Sequence, residues 1–86
     1  MKISRIRRFI AKKIDKEFIV FDTEKGRVFE LNPTAELIWK SLSGWIEINE
    51  LVRKIQREFA VKKTKVEKDV NAFVKKYSNK LFLLKN

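Results

Sequence analysis

Eighty-six residues with 44% hydrophobic content, two glycines and one proline make one domain with a single core and leave no room for long disordered stretches. The chain has neither cysteine nor histidine, which removes disulfides, thiolate chemistry and the commonest general base and metal ligand. We therefore expect no enzyme, no metal and no cofactor. The formal net charge is +10, which calls for either simple solvation or an acidic partner.

Residues 1–7 read as a basic N-terminal arm, with no hydrophobic segment or cleavage site of a signal peptide. Residues 8–86 read as one domain. No apolar run approaches the roughly 20 residues of a membrane span, so a cytoplasmic protein without membrane contact is expected. Arg8 to Ile14 is a weakly patterned strand, and Asp15-Lys16-Glu17 a polar connection. Phe18-Ile19-Val20-Phe21 is an apolar run of strand length made of strand formers. Asp22 to Gly26 follows as a hairpin loop, with Gly26 placed to take positive φ. Arg27 to Leu31 returns as the third strand. Arg27, Phe29 and Leu31 share one face and Val28 and Glu30 the other, and we assign Phe29 and Leu31 to the core.

Asn32 then has the chemistry of an N-cap and Pro33 that of a first helical residue, so strand passes directly into helix. The first helix carries Ala35, Ile38, Trp39 and Leu42 at helical spacing, and Gly44 marks its stop. In the second, Ile48, Leu51, Val52, Ile55 and Phe59 form one stripe. The third opens on Thr64-Lys65-Val66-Glu67, a capping-box pattern, and its stripe is Val66, Val70, Phe73, Val74 and Tyr77. Leu81 to Leu84 is an apolar segment that packs back on the core. The fold class is α+β: a three-stranded antiparallel sheet followed by three helices, winged helix-turn-helix-like.

At 100° per residue, Lys65, Asp69, Ala72 and Lys76 lie along one flank of the third helix's stripe. A small residue among charges suits a groove wall, and equally an ordinary solvated flank. The charge excess is confined to two stretches: +4 over residues 1–32, zero over 33–60 and +6 over 61–86.

The ordered set Leu31-Asn32 with Ala35 and Trp39, Gly44, Glu50-Leu51, Asp69-Val70 with Phe73, and the apolar end at Leu81 resembles the PqqD family. These are peptide-recognition elements of ribosomal peptide natural-product biosynthesis. Pro33-Thr34 together with Trp39 is closer to the lasso-peptide members than to those of pyrroloquinoline quinone synthesis. Three positions depart from the pattern: Glu47 in place of a Thr helix cap, Trp45 in place of a polar residue, and Asn79 or Lys80 in place of a late Gly.

The resemblance implies a permuted winged-helix fold that binds the leader of a precursor peptide by strand addition. Its edge would be Arg27, Val28, Phe29, Glu30 and Leu31, and the facing wall Lys65, Asp69, Ala72 and Lys76. Val66, Phe73 and Tyr77 would form the floor. The partners implied are an often acidic leader peptide and a separate maturation enzyme (a protease, cyclase or radical enzyme), with the chain itself a monomer or homodimer. For Asp69 the plain reading is an ion pair with Lys65; for Trp45 it is a contact back to the first helix.

A DNA-binding winged helix is the alternative, supported by charge and by a helix-turn-helix-like connection at Ala60-Val61-Lys62-Lys63. Against it, no wing follows the third helix, which lacks the Arg, Asn and Gln run that reads base edges. A third reading is a structural subunit that docks through the apolar end and Trp45.

Overall fold

The computed structural model describes residues 1–6, 8–42, 44–78 and 80–85. Among these residues the chain is α+β, with three helices and two antiparallel sheets. In order the elements are β1 (Lys2–Arg5), β2 (Phe9–Ile14), β3 (Glu17–Asp22), β4 (Arg27–Leu31), α1 (Pro33–Lys40), β5 (Ile46–Glu47), α2 (Ile48–Phe59), α3 (Lys63–Tyr77) and β6 (Phe82–Lys85). Among these, no helix is long and apolar enough to cross a membrane.

The first sheet is the expected meander, in the order β2-β3-β4. Its register aligns Ala11, Val20 and Phe29 in one row and Ile10, Phe21 and Val28 in the next. The rows alternate between faces, as a pleated sheet requires. The inward rows bury Phe9, Phe18, Val20 and Leu31, and Phe29 packs half-buried against the same core. Asp15 closes the first hairpin at φ 55° and Gly26 the second at φ 67°; short Asp and Gly are suited to that region.

The second sheet corrects the expectation of one sheet followed by helices. It has the order β5-β1-β6, so that strands and helices interleave along the chain. The segment read as a basic arm contains β1, whose Ile3 is fully buried and pairs with Ile46 on one side and Leu84 on the other. The apolar end packs on the core as expected and does so as a strand, with Leu81 and Phe82 fully buried. Phe82 stacks on Phe73 of α3 at 5.3 Å between ring centroids.

The strand-to-helix junction forms as its residues dictate. The Asn32 side chain accepts the Ala35 N–H at 2.8 Å, and Pro33 takes the first helical position. Ala35, Ile38 and Trp39 face the core, and Trp39 lies between Phe18 and the Arg5 guanidinium, 4.6 Å from its ring centre. The helix stops earlier than Gly44 implied. Ser41 is its C-cap, and the Ser41 and Leu42 N–H groups close the last turn. Gly44, at φ 145°, serves the turn into β5.

Two other helix-end expectations fail. α3 starts at Lys63 with Lys62 as an N-cap that supplies no side-chain bond, so Thr64 already lies inside the first turn and no capping box forms. The stripe of α2 ends at Ile55. Phe59 is 46% exposed because Ala60 turns left-handed at φ 51° and leads the chain away toward α3. Glu47 caps α2 by backbone alone, and its carboxylate pairs with the Met1 amino group at 3.1 Å. Trp45 stands 45% exposed with the Lys85 ammonium 4.4 Å from its ring centre; this contact is with β6, where one with α1 was expected. Of the two positions in place of the family's late glycine, Asn79 lies outside the described residues. Lys80 donates its N–H to Tyr77 in the turn that leaves α3.

Candidate functional site: a strand edge beside the third helix

β4 is an outer strand of its sheet, paired among the described residues with β3 alone, so one row of its backbone groups has no strand partner there. Such an edge accepts an extended peptide through main-chain hydrogen bonds, provided that it stays accessible and in a fixed place. Both conditions trace to particular side chains.

The fixed place comes from Asp22 at the end of β3. Its carboxylate is fully buried and accepts from Arg8 Nε at 3.0 Å and from Arg27 Nη2 at 2.9 Å. It also accepts the backbone N–H groups of Glu24 and Lys25, each at 3.1 Å. One buried anion thus ties the segment before β2, the hairpin loop and the first residue of β4 together. The Arg8 guanidinium, followed by Arg27 and the two loop N–H groups, holds the Asp22 carboxyl well below the usual carboxylate range; burial opposes this and loses. Arg27, placed by sequence among the edge contacts, is committed to this pair and stacks over Phe29 at 5.5 Å. Sequence reading missed Asp22, taking it as an ordinary loop residue. The signal available was an acid just before a hairpin loop with arginines on the neighbouring segments.

Along β4, Val28 and Glu30 point to solvent, Phe29 is half-buried and Leu31 is core. Phe29 meets Tyr77 of α3 edge-to-face at 6.3 Å, and Tyr77 meets Phe73 at 5.2 Å, giving an aromatic floor between strand and helix. Just past the end of β4 a hollow of about 190 Å³ opens between the first turn of α1 and α3. Asp69, Ala72, Phe73, Lys76 and Tyr77 line it from α3. The backbone of Asn32 is still extended (φ −68°, ψ 169°), so the line of β4 continues toward the hollow for one residue.

The two walls are therefore brought together at their ends, with no residue of β4 itself lining the hollow. A narrower hollow of about 110 Å³ follows along α3, where Lys65, Val66 and Asp69 face Thr34, Leu37 and Val61. Lys65 and Asp69 bond to each other at 3.0 Å, which gives Asp69 the plain role of an i,i+4 ion pair. The Lys76 ammonium lies over the Tyr77 ring at 5.4 Å and joins no ion pair among the described residues. The α1 lining (Asn32, Thr34, Ala35 and Ile38) was not foreseen. Helix periodicity shows which face of α1 is apolar, but it carries no information on which neighbour its exposed first turn approaches.

Residues 17–82 match the family model described as coenzyme PQQ synthesis protein D (PqqD), a span covering the meander from β3 onward, all three helices and the start of β6. No curated protein and no solved structure shows significant similarity to the chain.

Proposed function

Because the chain belongs to the PqqD family, whose general role is precursor binding in ribosomal peptide natural-product biosynthesis, we propose that it is a non-catalytic leader-binding protein. It captures a ribosomally made precursor by strand addition along β4 and delivers it to a separate maturation enzyme. The observation that carries this reading is the open edge of β4, anchored by Asp22 at one end and leading into the α1–α3 hollow at the other. Tethering would raise the local concentration of substrate at the enzyme without any chemistry of its own. In this reading the arrangement is a permuted winged helix, with the peptide taking the fourth place in the meander.

In this reading Val28 and Glu30 turn their N–H and C=O groups to the open side, while the alternate residues of β4 bond to β3; Phe73 and Tyr77 offer the floor, and Ala72, Asp69 and Lys76 the wall. Lys76 is the cation best placed to meet an acidic leader, since Lys65 is already neutralised by Asp69. The test is a fluorescence-anisotropy titration with labelled leader segments of short open reading frames beside the gene. Val28→Pro and Glu30→Pro each remove one β4 N–H, and we expect affinity to fall about tenfold, the loss of one hydrogen bond. Lys76→Glu should weaken an acidic leader selectively. Affinity untouched by both kinds of change would sink the reading.

A further inference from the structure

The solvent face of the meander is unusual for a sheet with one face on the core, whose outward positions are normally polar. Its outward rows are Ile10–Phe21–Val28 and, next to it, Lys12–Ile19–Glu30. The first is apolar across all three strands and well exposed at both ends, Ile10 at 59% and Val28 at 61%. The second is apolar only at its centre, and Glu30 joins no ion pair among the described residues. A partner lying flat across this face would have to desolvate Lys12 and Glu30 together with the apolar row. A strand added at β4 meets neither cost: it sets one side chain directly beside Val28 and the next outward one beside Glu30.

We propose that Val28 and Glu30 are specificity residues, which read the outward-facing half of the bound peptide. The peptide carries an apolar side chain in the Val28 row and a basic one in the Glu30 row, two positions apart. The inference rests on strand addition at β4 and adds to it a recognition rule on the face away from α3. The physical basis is the cross-strand pair: directly opposed side chains on one face of a sheet interact, with opposite charges and apolar pairs favourable and like charges unfavourable. Because outward positions recur every second residue, the rule has a fixed spacing whichever way the peptide runs. A leader acidic on its α3-facing side, toward Lys76, would thus carry a lone basic residue on the other.

A phage-displayed library of random peptides, selected against the intact chain and against its Glu30→Lys variant, tests this directly. Pools from the unaltered chain should carry a basic and an apolar residue two positions apart, and pools from Glu30→Lys an acidic residue in place of the basic one. For one selected peptide, Glu30→Lys should cost about three- to fivefold in affinity, recovered when its basic residue is changed to Glu. Val28→Lys should cost as much, while Ile10→Lys, at the far end of the row, should cost nothing. Pools that lose binding to Val28→Pro yet show no such spacing would overturn the rule and leave strand addition standing. Equal sensitivity to Ile10→Lys and Val28→Lys would overturn it in favour of a partner lying across the face. Pools that ignore Val28→Pro and Glu30→Pro would remove the rule together with the function on which it rests.

Discussion

The two three-stranded sheets divide the labour of the domain. The meander β2-β3-β4 is built from consecutive segments and leaves an outer strand open beside α3. The sheet β5-β1-β6 is built from three distant segments and draws together residues 2–5, 46–47 and 82–85. One sheet presents a surface, and the other closes the chain on itself. The proposed function needs both, because an open edge can serve as a fixed template only if the rest of the fold keeps it in place.

The closing sheet is most sensitive to substitution where it is most buried, at Phe82. Phe82→Ala removes a fully buried ring stacked on Phe73 and should cost about 3–5 kcal/mol, a large share of the stability of a domain this size. Val28→Ala on the open strand should stay within about 0.5 kcal/mol. Urea unfolding of the two variants measures the difference; equal losses would mean that the meander, not the β5-β1-β6 sheet, holds the fold together.

Asp22→Asn comes next, since it leaves two guanidinium groups without their buried anion. The Asp22 carboxyl is depressed in the folded state, so its stabilising contribution is fully present above the ordinary carboxylate range and is lost as pH falls through and below that range. Melting temperatures of the native chain and of Asp22→Asn should therefore differ by a constant amount above about pH 5 and draw together progressively as the pH falls below about 4. A gap that persists in acid would mean that Asp22 acts by shape and not by charge. Smaller still, Asn32→Ala should cost about 1 kcal/mol by removing the α1 cap. Because the cap joins β4 to α1, peptide affinity should fall along with stability. The smallest effect belongs to Lys65→Ala, whose exposed i,i+4 pair with Asp69 contributes no more than about 0.5 kcal/mol, measured by thermal melting at low and high salt.

The same division explains what could be seen in the sequence. Strand β4 at Arg27–Leu31 and its in–out alternation are legible in the sequence, because adjacent segments with turn residues between them specify their own pairing. The closing sheet was not foreseen. β5 is two residues long, and β1 has a single buried residue among polar ones; neither carries a pattern, and their pairing is set by distant partners. For the candidate groove, helical spacing alone puts Lys65, Asp69, Ala72 and Lys76 on one flank of α3; the last three line the hollow, and Lys65 lines the narrower one beside it. Thr34 and Ile38 opposite them depend on how α1 packs against α3, which no local window contains; Asp22 and Arg27 are five residues apart, but that the acid is buried between Arg27 and the more distant Arg8 follows from the folding of β2 against β3.

The closing sheet also sets how the domain answers mechanical load. In the antiparallel β1–β6 ladder, Lys2 is paired with Lys85 and Arg5 with Phe82, so both strands expose their outer ends at the same end of the ladder. Force applied across Lys2 and Lys85 would open the pairs one after another, as a zipper, instead of shearing all four at once. A pull across these two residues would then open the closing sheet first, and with it the core that Ile3 and Phe82 share with the meander.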